Sequence, residues 1–170
     1  RLVIGTGVAS VNNIALAGKF TNFETLSLNG TLDMSLISGI TAIELSGATN
    51  AITALTAVQA ANVTATADIG ASTIALTTAT GTSDALTLNL GTGLTTAAAT
   101  DADALTVTGF ETLNLNTNHG PTATAVANQT SLITAAIVGA DLTAINLTGS
   151  AFNFTDIATT KAVTIDGSAL

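Results

Sequence analysis

The chain contains no cysteine, tryptophan or tyrosine, one proline, and one histidine, His119. Without cysteine there is no disulfide framework and no thiolate nucleophile, and a single imidazole leaves too few ligands for a zinc finger. Basic side chains are scarce as well: Arg1, Lys19 and Lys161 stand against 11 acidic residues, a formal net charge of −8. Three cations cannot neutralise a phosphate backbone, so nucleic acid is not an expected partner. Long apolar runs are missing too. The longest stretch without a charged residue, Thr112 to Ala140, is broken by Asn, His, Pro, Gln and many Thr, which a hydrocarbon core would not accept as a spanning helix. Arg1 is followed by neither a basic region nor an unbroken apolar core, so no signal peptide is expected within this sequence. A start on Arg reads as one segment, residues 1–170, of a longer chain.

What is present is repetitive. Threonine (34) and alanine (32) make up close to two-fifths of the 170 residues. The larger aliphatic side chains recur in short alternating runs: Thr25-Leu-Ser-Leu-Asn, Ala42-Ile-Glu-Leu-Ser, Thr73-Ile-Ala-Leu-Thr, Ala85-Leu-Thr-Leu-Asn, Ala104-Leu-Thr-Val-Thr, Thr112-Leu-Asn-Leu-Asn, Ala144-Ile-Asn-Leu-Thr and Ala162-Val-Thr-Ile-Asp. Period 2, with Leu, Ile or Val on one face and Thr, Asn or Ser on the other, predicts strands. Turn signals such as Asn29-Gly30, Ser46-Gly47, Thr108-Gly109 and Asp166-Gly167 follow them.

Longer blocks return as well. Phe23-Glu-Thr-Leu-Ser-Leu-Asn29 reappears as Phe110-Glu-Thr-Leu-Asn-Leu-Asn116, and Thr41-Ala-Ile-Glu-Leu-Ser-Gly47 as Thr143-Ala-Ile-Asn-Leu-Thr-Gly149. Asp84-Ala-Leu-Thr-Leu and Asp103-Ala-Leu-Thr-Val form a third echo. Strand centres lie 17 (Leu26 to Ile43), 20 (Ile43 to Val63), 19 (Leu86 to Leu105) and 18 (Ile145 to Val163) residues apart. The expected fold is therefore all-β, a single parallel β-solenoid of degenerate coils about 17–20 residues long, one strand spacing of ~4.8 Å per coil. In that fold Leu26, Leu28, Ile43, Leu45, Leu86, Leu88, Leu105, Val107, Leu113, Leu115, Ile145, Leu147, Val163 and Ile165 point inward and stack. Two segments suggest short side helices: Asn50 to Ala61, with Ile52, Leu55 and Val58 three apart behind a cap at Asn50, and Gln129 to Ala140. Gly91 to Ala102 and Asn116 to Asn128 read as longer loops.

Catalytic chemistry has little to work with. His119 sits in the turn sequence Asn118-His119-Gly120-Pro121, where its ring faces water rather than a nucleophile. A glycosidase could use two carboxylates, but a sugar cleft normally also needs Trp or Tyr. Gly5-Thr-Gly7 and Gly91-Thr-Gly93 lack the length and the lysine of a phosphate loop. Five Asn-x-Ser/Thr sequons are no real enrichment over the chance expectation from 13 Asn and 44 Ser plus Thr in 170 residues. Acidic turns are the remaining signal. Asp101 and Asp103, two residues apart before a strand, together with Asp84 and Asp166 at strand ends, are the candidate ligands for a hard oxygen-seeking cation such as Ca²⁺. Glu24 and Glu111, equivalent in the two Phe-Glu-Thr-Leu blocks, read as outward corner residues.

At the Phe-Glu-Thr-Leu-x-Leu-Asn blocks and the Asp-Ala-Leu-Thr-[Leu/Val] strands the chain resembles the assembly region of bacterial surface-layer proteins of the calcium-dependent, type I secreted kind, and related Thr/Ala/Gly-rich surface proteins. The resemblance implies an extracellular, cell-surface solenoid that self-assembles into a lattice or filament, with Ca²⁺ at coil turns and a cell-surface glycan as a further partner. The calcium repeats of that family, with their Gly-Gly-x-Gly-x-Asp pattern, do not occur here. The leading expectation is a structural module, not an enzyme. An adhesin or biofilm-matrix stalk is the alternative, and a solenoid polysaccharide-degrading enzyme the second.

Overall fold

The computed structural model describes residues 1–5, 12–13, 17–90, 98–117, 130–149 and 152–170. These residues form fifteen strands and very little helix. In chain order the strands are β1 (Leu2–Ile4), β2 (Thr25–Leu28), β3 (Thr31–Asp33), β4 (Ala42–Leu45), β5 (Ala51–Leu55), β6 (Val63–Ala65), β7 (Ala71–Leu76), β8 (Ala85–Asn89), β9 (Ala98–Ala102), β10 (Ala104–Thr108), β11 (Thr112–Asn116), β12 (Thr130–Val138), β13 (Ala144–Thr148), β14 (Phe152–Ala158) and β15 (Thr164–Ala169). A 3₁₀ turn, Met34–Leu36, and a one-turn helix, α1 (Ala57–Ala60), interrupt them.

Two sheets result, and the strand pairs within both are parallel. One holds eight strands in the order β1-β2-β4-β6-β8-β11-β13-β15, the other follows β14-β12-β10-β7-β5-β3, with β9 beside β12. From β2 to β8 and again from β10 to β15 the chain alternates between the sheets, each visit adding a strand beside the one laid down before. Parallel pairing buries one face of each strand against the other sheet, which is why the alternating aliphatic residues lie inside. Leu26, Ile43 and Val63 follow one another in register, as do Leu86, Leu113 and Ile145. Leu32, Ile52, Ile74, Leu105, Ile133 and Ile137 supply the second sheet, and the inward side chains of both sheets form one buried cluster. Burying each such side chain stabilises the fold by roughly 1.5–3 kcal/mol.

Twelve of the fourteen side chains expected inside are buried. Val163 is half-buried and Ile165 is 45 % exposed. Ile165 pairs with Ile145, and β15 is the last strand of its sheet among the described residues, with none of them paired on its far side. Register spacing differs from a constant 17–20 residues: it is 17 from Leu26 to Ile43 and 20 from Ile43 to Val63, but 27 from Leu86 to Leu113 and 32 from Leu113 to Ile145. The 19-residue step from Leu86 to Leu105 is not a stacking step, because β8 and β10 belong to different sheets.

Neither expected helix has the form read from the sequence. Residues 130–138 are the strand β12, and 51–55 are the strand β5 followed by the single turn α1. The three-residue spacing of Ile52 and Leu55 comes from a bulge: Ala54 turns into the left-handed region (φ 58°), and the pairing slips between Ile52 and Leu55. Both side chains thereby stay inside. Thr56, not Asn50, caps α1, exchanging bonds with Gln59 in a capping box. Of the two expected loops, 98–102 is strand β9, while 91–97 and 118–128 lie outside the described residues.

Hydroxyls explain much of the threonine content. Ser46, Thr66 and Thr77 each donate both the backbone N–H (2.9, 2.9 and 2.8 Å) and the side-chain hydroxyl (3.1, 3.1 and 2.9 Å) to one carbonyl of the neighbouring strand, that of Leu28, Leu45 and Leu55 respectively. Thr117 does the same to the Thr148 carbonyl. These residues finish a strand by satisfying a carbonyl that the ladder leaves with spare capacity.

Asn50 closes a corner. Fully buried, it donates to the carbonyls of Gly47 (2.8 Å) and Ile69 (3.4 Å) and to Ser72 Oγ (3.3 Å), and accepts from the Gly30 N–H (3.3 Å). Gly70 stands beside it at φ 56°, where a Cβ would strike the Ala48 carbonyl. Asn50→Ala should therefore cost about 2–3 kcal/mol, since it strands several buried polar groups at once. Thr53→Ala, at an exposed position of β5, should stay within about 0.5 kcal/mol of the parent. Urea unfolding midpoints check both. Equal midpoints for the two variants would show that the Asn50 corner does not hold the layers together.

Candidate functional site

The repeated blocks occupy equivalent places. Phe23–Asn29 carries β2 and Thr41–Gly47 its neighbour β4, while Phe110–Asn116 carries β11 and Thr143–Gly149 its neighbour β13. In both pairs the glutamate carbonyl is the anchor. Glu24 O accepts from Thr41 N (2.8 Å), Ala42 N (3.1 Å) and Thr41 Oγ1 (3.3 Å), and Glu111 O accepts from Thr143 N (2.8 Å), Ala144 N (3.1 Å) and Thr143 Oγ1 (3.2 Å). The recurring Glu-Thr and Thr-Ala pairs are thus corner contacts between adjacent strands.

The glutamate side chains are not equivalent. Glu24 is exposed. Glu111 is half-buried, and its Oε2 accepts from the Asp84 N–H (2.8 Å) while the Asp84 carbonyl accepts from Glu111 N (2.9 Å). The Asp84 carboxylate keeps one oxygen, Oδ2, shut off from solvent and without a hydrogen-bond partner among the described residues, and a Cβ at Gly81 would press on it at 2.6 Å. A shallow groove of about 290 Å³ opens beside it, lined by Leu55, Thr56, Ala57, Leu76, Thr77, Thr78 and Asp84.

The four expected cation ligands are divided between the two sheets, Asp84 and Asp166 with one and Asp101 and Asp103 with the other. Asp84 precedes β8 in the eight-stranded sheet; Asp103 breaks β9 from β10 in the other, its N–H on the Gly70 carbonyl (2.9 Å). Asp101 lies within β9 rather than in a loop, and its side chain is outside the described residues. Asp166 is on β15, in register with Asn146. Its carboxylate is taken up by the Ser168 backbone N–H (2.9 Å), which with the Ser168 hydroxyl holds its pKa below the ordinary aspartate value. Among the described residues no three His, Cys, Asp or Glu side chains gather around one point. His119 lies outside the described residues.

A feature not foreseen from the sequence is the amide array on the outward face of the eight-stranded sheet. Asn114 Nδ2 donates to Thr87 Oγ1 (3.4 Å), Asn146 Nδ2 to Asn114 Oδ1 (2.8 Å), and Asn116 Nδ2 to Asn89 Oδ1 (3.1 Å). Asn89 in turn donates to the Val63 carbonyl (3.2 Å). The signal was present in Leu-Thr-Leu-Asn, Leu-Asn-Leu-Asn and Ile-Asn-Leu-Thr, but only the pairing of β8, β11 and β13 turns those residues into rows. Near β1 an ion pair covers the same face: Arg1 Nη2 meets Glu44 Oε2 at 2.6 Å and Ser27 Oγ at 3.2 Å. Such a half-exposed pair contributes about 0–1 kcal/mol.

The arrangement offers rows of hydrogen-bonding side chains with few charges among them. Comparison of the chain with protein-family models, with curated proteins and with solved structures finds no match in any of the three.

Two outcomes are expected. Glu111→Ala should lower stability by about 1–2 kcal/mol, Glu111→Gln by less because an acceptor remains, and Glu24→Ala hardly at all; thermal or urea unfolding decides, and equal effects of the two alanine variants would contradict the Asp84 contact. Asp166 has a depressed folded pKa, so its contribution is present above the ordinary aspartate pKa and lost as pH falls through the folded value. A carboxyl NMR titration should show that depressed midpoint, and Ser168→Ala should restore only part of it, since the backbone N–H is the larger cause.

Proposed function

We propose that the chain is part of a parallel β-solenoid and serves as a structural module of a self-assembling extracellular surface layer or fibre. The observation that carries this reading is the order of strands: from β2 to β8 and from β10 to β15 each visit of the chain to a sheet adds one parallel strand beside the last. Such a winding is extended along one axis, its stability is a sum of nearest-neighbour contacts, and it offers lateral faces for association. Eight strands at ~4.8 Å span about 34 Å. The outward rows of Asn and Thr, with few charges to repel a second copy, suit lateral packing. A polysaccharide-degrading enzyme is the less favoured reading, since the sequence holds only three basic residues to set beside its acids.

Calcium enters as a test rather than as a support. The reading leaves Asp101 and Asp103 as the pair of carboxylates nearest in sequence, with backbone oxygens to complete a shell. Millimolar calcium should then raise the melting temperature or particle size more than magnesium does, and Asp103→Asn should weaken the response. An unchanged melting curve removes calcium from the proposal and leaves the structural module standing.

Analytical sedimentation and negative-stain electron microscopy test the module itself. Concentration-dependent association into sheets or filaments is the expected result. Dispersed rods without lateral order would favour the stalk of an adhesin, and a strict monomer at high concentration, with calcium present, would overturn self-assembly.

A further inference from the structure

We draw no further inference here: the strongest candidate, the shallow groove between the ends of β5 and β7 where Asp84 keeps one oxygen unpartnered, carries nothing because that oxygen is closed off from solvent and nothing in the structure shows what would occupy the groove.

Discussion

In-register parallel stacking is the constraint on which everything else here depends. When a strand lies directly on its predecessor, each side chain meets a counterpart, and an inward column favours residues of similar size and polarity, although Leu105 lies against Ser72. Leu26 over Ile43 over Val63, and Leu86 over Leu113 over Ile145, obey that demand with branched aliphatic groups. Phe110, fully buried, sits just before β11 at a corner, not within a stacked column. The same rule governs the outside, where Asn114 can bond Asn146 because the pairing places amide on amide.

Stacking also sets the polar chemistry of the corners, where the chain leaves one sheet for the other and the ladder ends. There the carbonyls need donors and the turns need residues without a Cβ or with a short polar side chain. Serine and threonine hydroxyls double the donation to Leu28, Leu45 and Leu55, Asn50 gathers groups from three corners, and Gly70 lets the chain pass the Ala48 carbonyl. Short, uncharged, hydrogen-bonding side chains do much of this, with carboxylates at a few turns, as where Asp68 accepts from the Gly70 N–H.

Strand positions and their inward residues were legible because period 2 is written directly into runs such as Thr112-Leu-Asn-Leu-Asn. Which strands lie together was less so. The 19-residue echo of Asp84-Ala-Leu-Thr with Asp103-Ala-Leu-Thr suggested neighbours, yet the two strands belong to opposite sheets, since both sheets draw on the same alternating pattern and nothing local distinguishes them. The false helices have physical causes as well. Ile133 and Ile137 are four apart, a spacing that a helix and a strand satisfy equally, and the Ala54 bulge gives β5 a helical-looking step of three. Asp84 and Asp103 stand at the strand ends expected of them, whereas Asp101 lies within β9 and Asp166 within β15; a cation site depends on which ends meet, and sequence spacing alone does not carry that.

Absence of cysteine makes one direct measurement clean. Thr87 is paired with Asn114 in the eight-stranded sheet, whereas Thr106, the residue 19 positions after Thr87, lies in the other sheet beside Thr73. Cysteines at facing outward positions of neighbouring strands fall within the Cα separation of ~4.4–6.8 Å that a disulfide requires. Under mild oxidation the double variant Thr87→Cys with Asn114→Cys should form an intramolecular disulfide, and Thr87→Cys with Thr106→Cys should not. Ready cross-linking of the second pair and none of the first would contradict the alternation of the chain between two parallel sheets.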